Sequence, residues 1–272
     1  MLESVSPVSL RVLKTMLRSI QLSFVVLVLL VPGMVPAAEA QTTTATCSPA
    51  DMTGAWVTQP NGFFTQGPVA GPFGATGVLI FDGATRFGGV ASSSFNGHVI
   101  FPFGADGSYT LTPDCHLAVF EETLRIRFDG WLANNKTEVL FFEPDATSIS
   151  INHLQRQNIA TCSAQSVGGI WTMVVSGYNI ITQGRYASDT HMTLDGKGGL
   201  TGTAFVSTDG LITENKYTGT YTVNQDCSMN FQLLEDTGLV LGYYASLFDN
   251  TNQFYVISNN EGLVLLGYAK RP

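Results

Sequence analysis

Over the second half of the chain, apolar and polar positions alternate in short runs rich in β-branched and aromatic residues, broken by turn residues every ten or so positions. That is the spacing of an all-β domain. Eight such runs fall near Gly169–Val175, Ser188–Leu194, Leu200–Val206, Tyr217–Val223, Cys227–Leu233, Leu239–Leu247, Gln253–Ile257 and Leu263–Tyr268. Asp195-Gly196-Lys197-Gly198-Gly199 and Asp209-Gly210 supply residues that accept positive φ at hairpin connections. No long segment carries a capped apolar period of 3.6, so the strands are expected to run up and down through hairpins.

Alternation also assigns faces. Trp171, Met173 and Val175 share one side of the first run; Tyr217, Tyr221 and Val223 share a side of the fourth; Cys227, Met229, Phe231 and Leu233 share a side of the fifth. These sides should point inward. Leu239-Val240-Leu241 and Leu263-Val264-Leu265-Leu266 are apolar on both faces, which predicts that their outer face meets another unit. Eight strands close into an antiparallel barrel whose interior is filled by side chains or holds one small ligand; a β-sandwich is the alternative.

The first half repeats the second. Gly107-Ser108-Tyr109-Thr110-Leu111-Thr112-Pro113-Asp114-Cys115 returns 112 positions later as Gly219-Thr220-Tyr221-Thr222-Val223-Asn224-Gln225-Asp226-Cys227. Cys47 stands seven residues before Gly54-Ala55-Trp56, Cys162 seven before Gly169-Ile170-Trp171, and Arg156 and Arg271 close the two units 115 positions apart. A tandem of two units of about 110 residues follows, 41–157 and 158–272, each large enough to bury its own core. The joint between Gln157 and Thr161 is too short for a flexible linker, so the units are expected to pack together. The first copy is the less regular: it carries Gly67-Pro68-Val69-Ala70-Gly71-Pro72-Phe73-Gly74 in its early connection and has no close match to Lys216-Tyr217-Thr218.

Residues 1–40 read as a secretory signal: Arg11, Lys14 and Arg18, an apolar run from Leu22 to Val31, and Pro36-Ala37-Ala38-Glu39-Ala40 with cleavage after Ala40. Met16 would make a more ordinary signal start than Met1. The apolar run is shorter than the ~20 residues of a membrane-spanning helix, and Thr44-Ala45-Thr46 before Cys47 lacks a lipoprotein pattern, so no membrane association is expected after cleavage. The remaining chain holds 10 basic and 19 acidic residues, a formal net charge of −9. That balance argues against nucleic acid as a partner. The expected location is secreted or periplasmic, where four cysteines read as disulfides; of the three connectivities, the one that respects the repeat is Cys47–Cys115 with Cys162–Cys227.

Cys-Ser, Gly-x-Trp, Phe81-Asp82-Gly83 or Leu194-Asp195-Gly196, Gly-x-Tyr-Thr-x-x-x-Asp-Cys and the closing Lys270-Arg271 together resemble a family of secreted bacterial proteins of unknown function, over nearly all of the mature chain. In strand count, the units are similar to the eight-stranded barrels of the lipocalin (calycin) and allene oxide cyclase type, a likeness of shape without their motifs.

Candidate chemistry is sparse. Phe120, Glu122, Leu124, Ile126 and Phe128 alternate as though a carboxylate lay in an apolar face, but the repeat sets Glu121-Glu122-Thr123 on Glu235-Asp236-Thr237, followed by Gly238, which reads as a solvated hairpin turn. Asp114 and Asp226 read as side chains bonding turn amides. The Asp195–Gly199 segment fits neither a calcium loop nor a phosphate cradle. No serine lies in Gly-x-Ser-x-Gly, the four histidines do not recur between units, and no metal-ligand or cofactor-binding spacing occurs. Asn135-Lys136-Thr137 fits the N-glycosylation pattern, which matters only in a eukaryotic secretory pathway. Aromatic residues remain as ligand-facing candidates: Trp56, Tyr109, Trp171, Tyr217, Tyr221 and Tyr243, each with core packing as its alternative role. The leading expectation is a non-catalytic exported barrel protein that binds a small apolar ligand. The alternatives are a cofactor-free cyclase or isomerase and a structural module of an extracellular assembly.

Overall fold

The computed structural model describes residues 46–144, 147–159 and 161–272. The expected signal segment, its cleavage site at Ala40, and Thr44 and Ala45 lie outside them. Two closed antiparallel barrels follow one another along the chain, and both belong to one compact unit. The second is formed by β10 (Gly169–Asn179), β11 (Gly184–Leu194), β12 (Gly199–Thr208), β13 (Leu211–Val223), β14 (Ser228–Glu235), β15 (Val240–Phe248), β16 (Gln253–Ser258) and β17 (Leu263–Lys270). Each strand pairs with the next, and β17 returns to β10 with Thr172 opposite Lys270.

The first barrel has the same plan with its opening strand broken in two. β1 (Gly54–Thr58) and β2 (Asn61–Phe64) both lie between β3 (Gly71–Phe81) and β9 (Ser148–Arg156). The break falls at Gln59-Pro60, where proline has no N–H for the ladder, so its carbonyl takes the Ala75 N–H at 3.0 Å and pairing resumes one residue later. The circuit is completed by β4 (Arg86–Phe95), β5 (His98–Leu111), β6 (His116–Glu121), β7 (Ile126–Ala133) and β8 (Glu138–Phe142).

The repeat has a structural reason at each motif position. Gly54 and Gly169, which open the Gly-x-Trp strands, have φ of 107° and 129°, a region that other residues rarely adopt. A Cβ on Gly107 or Gly219, at the head of Gly-x-Tyr-Thr, would lie 2.0 Å from the carbonyl oxygen of Phe120 or Gln232 on the neighbouring strand. Asp82 and Asp195 close equivalent hairpins by accepting backbone N–H groups: Ala84, Thr85 and Arg86 in one, Lys197 and Gly199 in the other. The disulfides pair Cys47 with Cys115 and Cys162 with Cys227, at Cα separations of 5.0 and 5.2 Å. Bonds of this kind persist in oxidising compartments.

Inward faces follow the alternation. Trp171, Met173, Val175, Tyr217, Tyr221, Met229, Phe231 and Leu233 form one core; Trp56, Phe81, Phe87, Tyr109, Leu117, Phe128, Phe141 and Leu154 form the other. The β6–β7 hairpin departs from the expected parity. Its turn, with Arg125 at φ 59°, resets the alternation, so Leu117, Val119 and Glu121 point inward while Phe120 faces solvent. Glu121 is therefore buried at 7% exposure and accepts the N–H groups of Thr123 and Leu124 at 3.0 and 2.6 Å. Glu235 is buried alike and accepts from Asn215 and Thr237. These are turn carboxylates, but the solvated member is Glu122, which pairs with Arg86.

The barrels meet along β1, β3 and β4 of the first and β15, β16 and β17 of the second. Val57 and Val78 pack with Phe248 and Tyr255, and Phe101 contacts Tyr244 at 5.1 Å between ring centroids. Polar groups cross the seam as well: Gln59 Nε2 donates to the Gly267 carbonyl at 2.6 Å, Ser92 Oγ to Asn259 Oδ1 at 2.7 Å, and Tyr255 OH meets His153 Nδ1 at 2.5 Å. Of the two late strands expected to form the seam, β17 does so, with Val264 buried and Leu266 lying over Gly74. The start of β15 does not: Leu239 and Val240 are exposed, and β15 reaches the seam only from Tyr244 onward. Strand twist accounts for this, since it carries one end of a long strand away from a contact made by the other.

Val264→Asp should therefore destabilise the protein by about 3 kcal/mol or more by burying an unpaired charge, whereas Val240→Asp should change stability by less than about 0.5 kcal/mol. Thermal denaturation of both variants checks this, and equal shifts would place the seam elsewhere. A second outcome concerns acid. Backbone N–H groups, Ala84 for Asp82 and Lys197 for Asp195, hold these two carboxyls below their ordinary range. Their contribution is present above the unfolded value near ~3.9 and is lost as pH falls through the depressed folded values. Asp195→Asn should flatten the acid limb of a stability-versus-pH curve below about pH 4.

Candidate functional site

One end of each barrel is sealed by the same construction. A single helical turn, Pro49–Met52 in the first barrel and α1 (Ala164–Val167) in the second, lies under the barrel between the first cysteine and the Gly-x-Trp strand. Trp56 Nε1 donates to the Met52 carbonyl at 2.7 Å and Trp171 Nε1 to the Val167 carbonyl at 2.8 Å. Tyr109 OH donates to the Pro49 carbonyl and Tyr221 OH to the Ala164 carbonyl, at 3.3 and 3.2 Å. From the last strand, Arg156 lies 4.5 Å over the Trp56 ring and donates to the carbonyls of Thr53 and Asp51; Arg271 lies 4.9 Å over Trp171 and donates to that of Ser166. Burial pushes the Tyr109 hydroxyl up to about 12, helped by the Asp82 carboxylate.

Four of the six aromatic candidates thus hold the barrel ends. The other two, Tyr217 and Tyr243, lie inside the second barrel, where Tyr217 OH bonds Thr190 Oγ1 at 2.9 Å and Tyr243 stacks on Phe231 at 5.1 Å. Burial raises both hydroxyls far above the ordinary tyrosine value. The surrounding interior is packed with Met173, Met192, Met229, Leu233 and Phe254. The first barrel keeps a small internal cavity of about 80 Å³ among Phe73, Phe95, Phe103, Leu124, Ile126 and Phe128. No group of three or more His, Cys, Asp or Glu side chains among the described residues is placed to hold a metal ion.

The large concavity lies outside both interiors. Beside the seam the two curved surfaces diverge and leave a cleft of about 940 Å³. Val264, Leu266 and Gly267 of β17 form its floor together with Gln59. The first barrel supplies Phe63, Ile149 and Ile151 as one wall; the second supplies Val174, Tyr178, Phe205 and Ile212 as the other. Phe63 and Tyr178 meet edge to face across it at 5.3 Å. These apolar side chains are open to solvent: Ile149 is 72% exposed, Ile212 69%, Ile151 64% and Phe205 60%. Among the lining residues Asp189 alone is charged, and Arg185 lies 5.9 Å over the Tyr178 ring.

The cleft residues were missed in sequence because the face of β9 inverts. In Ser148-Ile149-Ser150-Ile151-Asn152 the barrel interior takes the serines and asparagine, and the isoleucines face out. The signal was the polar half of that alternation, which runs straight into inward-facing Leu154.

Comparison with known proteins adds little to this geometry. Among solved structures, the chain is similar to a DUF3598-family protein of unknown function from Nostoc punctiforme PCC 73102, with 12% identity, a TM-score of 0.25, and coverage of 82% of this chain and 97% of that one. It is also similar to a "putative AttH" from Nitrosomonas europaea, with 11% identity, a TM-score of 0.26, and coverage of 88% and 98%. No family model and no curated protein matches the sequence.

The sealed ends generate a stability outcome. Arg271→Ala removes a cation–π contact and a donor to a partly buried carbonyl, a loss of about 2 kcal/mol. Arg271→Lys should recover less than half, because an ammonium cannot both stack on the indole and reach the carbonyl as a planar fork does. Denaturant titration of both variants, with the Arg156 pair as a parallel set, measures it.

Proposed function

We propose that this is an exported, non-catalytic binding protein whose site is the cleft between its two barrels, and that its ligand is an extended, apolar, uncharged small molecule. The observation that carries the reading is the cleft itself: about 940 Å³ of space walled by solvent-facing Ile149, Ile151, Val174, Phe205 and Ile212. Contiguous exposed apolar surface is costly in a soluble protein and marks a place where something binds. The volume suits a drug-sized or lipid-like molecule, which neither barrel interior accommodates. An anionic amphiphile is disfavoured, because Asp189 is the charged side chain in the lining.

A binding role is favoured over a cyclase or isomerase because the lining carries no histidine, lysine or second carboxylate beside Asp189, which leaves only the phenols of Tyr178 and Tyr268 as further proton donors. Export is supported by the two disulfides and by the basic and apolar N-terminal sequence.

Calorimetric titration of the mature protein with 1-decanol and with decanoate tests the reading. The alcohol should bind at least tenfold more tightly than the carboxylate. Phe205→Glu should weaken the alcohol at least tenfold while leaving the melting temperature within about 2 °C, as for an exposed substitution. Equal affinity of wild type and Phe205→Glu for decanol would remove the cleft from consideration.

A further inference from the structure

The first barrel contains a buried polar group that neither the sealed end nor the cleft uses. On β8 the inward positions run Val139, Phe141 and then Glu143, one step beyond the strand's end; on β9 they run Ser148, Ser150, Asn152 and Leu154. Phe141, Asn152 and Leu154 line the internal cavity, so Glu143, Ser150 and Ser148 stand one or two pleats above it, at the end opposite Trp56. Glu143 is 94% buried, with 6% of its surface exposed. Its Oε2 accepts from Ser150 Oγ at 2.9 Å, while its Oε1 and the Ser148 hydroxyl are buried without a hydrogen-bond partner among the described residues. Phe64, opposite Ser148 on the paired strand, packs against Phe73 of the cavity lining with ring centroids 4.5 Å apart and planes tilted by 32°.

Buried carboxylates and hydroxyls are ordinarily satisfied, and two orphaned groups on the inward faces of strands that line a cavity mark a missing partner. The chemistry of that partner follows from what the mouth offers. Glu143 Oε1 is an acceptor. Ser148 Oγ is free to accept, and Ser150 Oγ, which spends its proton on Glu143, has only lone pairs left. Three acceptors on the inward faces of two paired strand ends, one of them a carboxylate oxygen, match the three N–H donors of a primary ammonium group. Beneath them lies a largely apolar pocket of about 80 Å³, whose one carboxylate, Glu121, is taken up by the N–H groups of Thr123 and Leu124; the pocket is smaller than the ~150 Å³ cavity that accepts a benzene ring. A short unbranched alkyl chain fits such a space and an aromatic ring does not.

We infer that the end of the first barrel opposite Trp56 is a second binding site, on the inner side of the strand whose outer face walls the cleft, for a short primary alkylamine: its ammonium sits on Glu143, Ser148 and Ser150, and its chain extends into the cavity among Phe95, Ile126 and Leu154. The class is defined by both parts. Alcohols lack two of the three donors, carboxylates repel Glu143, and longer or ring-bearing amines exceed the cavity.

Methyl-resolved NMR titration of the full mature chain with n-butylamine, n-butanol and butyrate reads this directly. The amine should produce saturable shifts at Leu124, Ile126 and Leu154, with an affinity at least tenfold above the alcohol's, and butyrate should leave these methyls unmoved. Glu143→Gln should abolish the preference for the amine, bringing its affinity to within about twofold of the alcohol's, and Ser148→Ala should weaken the amine at least threefold. The inference is overturned if, in wild type, the amine binds no better than the alcohol, or if its shifts appear at the cleft residues Val174 and Ile212 instead. An unchanged amine preference in Ser148→Ala and Glu143→Gln overturns it as well.

Discussion

The contact on which each barrel depends is a tryptophan indole held between an arginine and a helical turn. A closed sheet has no edges, but its ends are open, and an open end would admit water to the core. Trp56 and Trp171 fill that end. Each indole N–H is satisfied by a carbonyl of the turn beneath it, and the guanidinium of Arg156 or Arg271 covers the ring while bonding further carbonyls of the same segment. The tyrosine of Gly-x-Tyr-Thr ties the start of that turn, and the disulfide joins the segment before it to the hairpin that follows Gly-x-Tyr-Thr. The tryptophan, tyrosine, arginine and cysteines of the repeat thus serve one object, a sealed barrel end. The same construction recurs 115 residues later because one sequence solution has been used twice.

With one end of each unit closed, the large cleft lies where the repeat does not control it. The cleft is bounded by the outer faces of β2 and β9 on one side and of β10, β12 and β13 on the other. These faces have no equivalent contact within a single barrel, so only the tandem arrangement brings them together. The break at Gln59-Pro60 contributes to this: it splits the opening strand, and Gln59 itself crosses to the Gly267 carbonyl at the cleft floor. The irregularity of the first copy is where it has been adapted to the second.

This division explains how much was legible in the sequence. The repeat, the two disulfides, the strands of the second unit and their inward faces could all be read, because a period of two and a paired motif are local or nearly local signals. Legibility failed where parity or packing intervenes. A turn reset by Arg125 exchanged Glu122 for Glu121 as the inward carboxylate. Ile149 and Ile151 look like core residues in any one-dimensional reading, yet the interior at that level belongs to Ser148 and Ser150. Val240 looked like seam and is exposed, whereas Val264 on a strand of similar composition is buried. The aromatic residues singled out as ligand-facing seal or fill the barrels, while the cleft is lined by other aliphatic and aromatic side chains on the outside.

The central claim is that the space between the barrels, and not the interior of either large core, receives an uncharged apolar ligand. Photo-crosslinking tests it most directly. The protein would be labelled with a long-chain alcohol carrying a diazirine at mid-chain, digested, and mapped by mass spectrometry. Labels concentrated on Ile149, Ile151, Val174, Phe205 and Ile212, and competed away by excess unlabelled alcohol, are the predicted result. Labels on core residues such as Met229 or Phe231, or a scatter that includes exposed side chains away from the cleft such as Ile80 and Ile181 and resists competition, would contradict it.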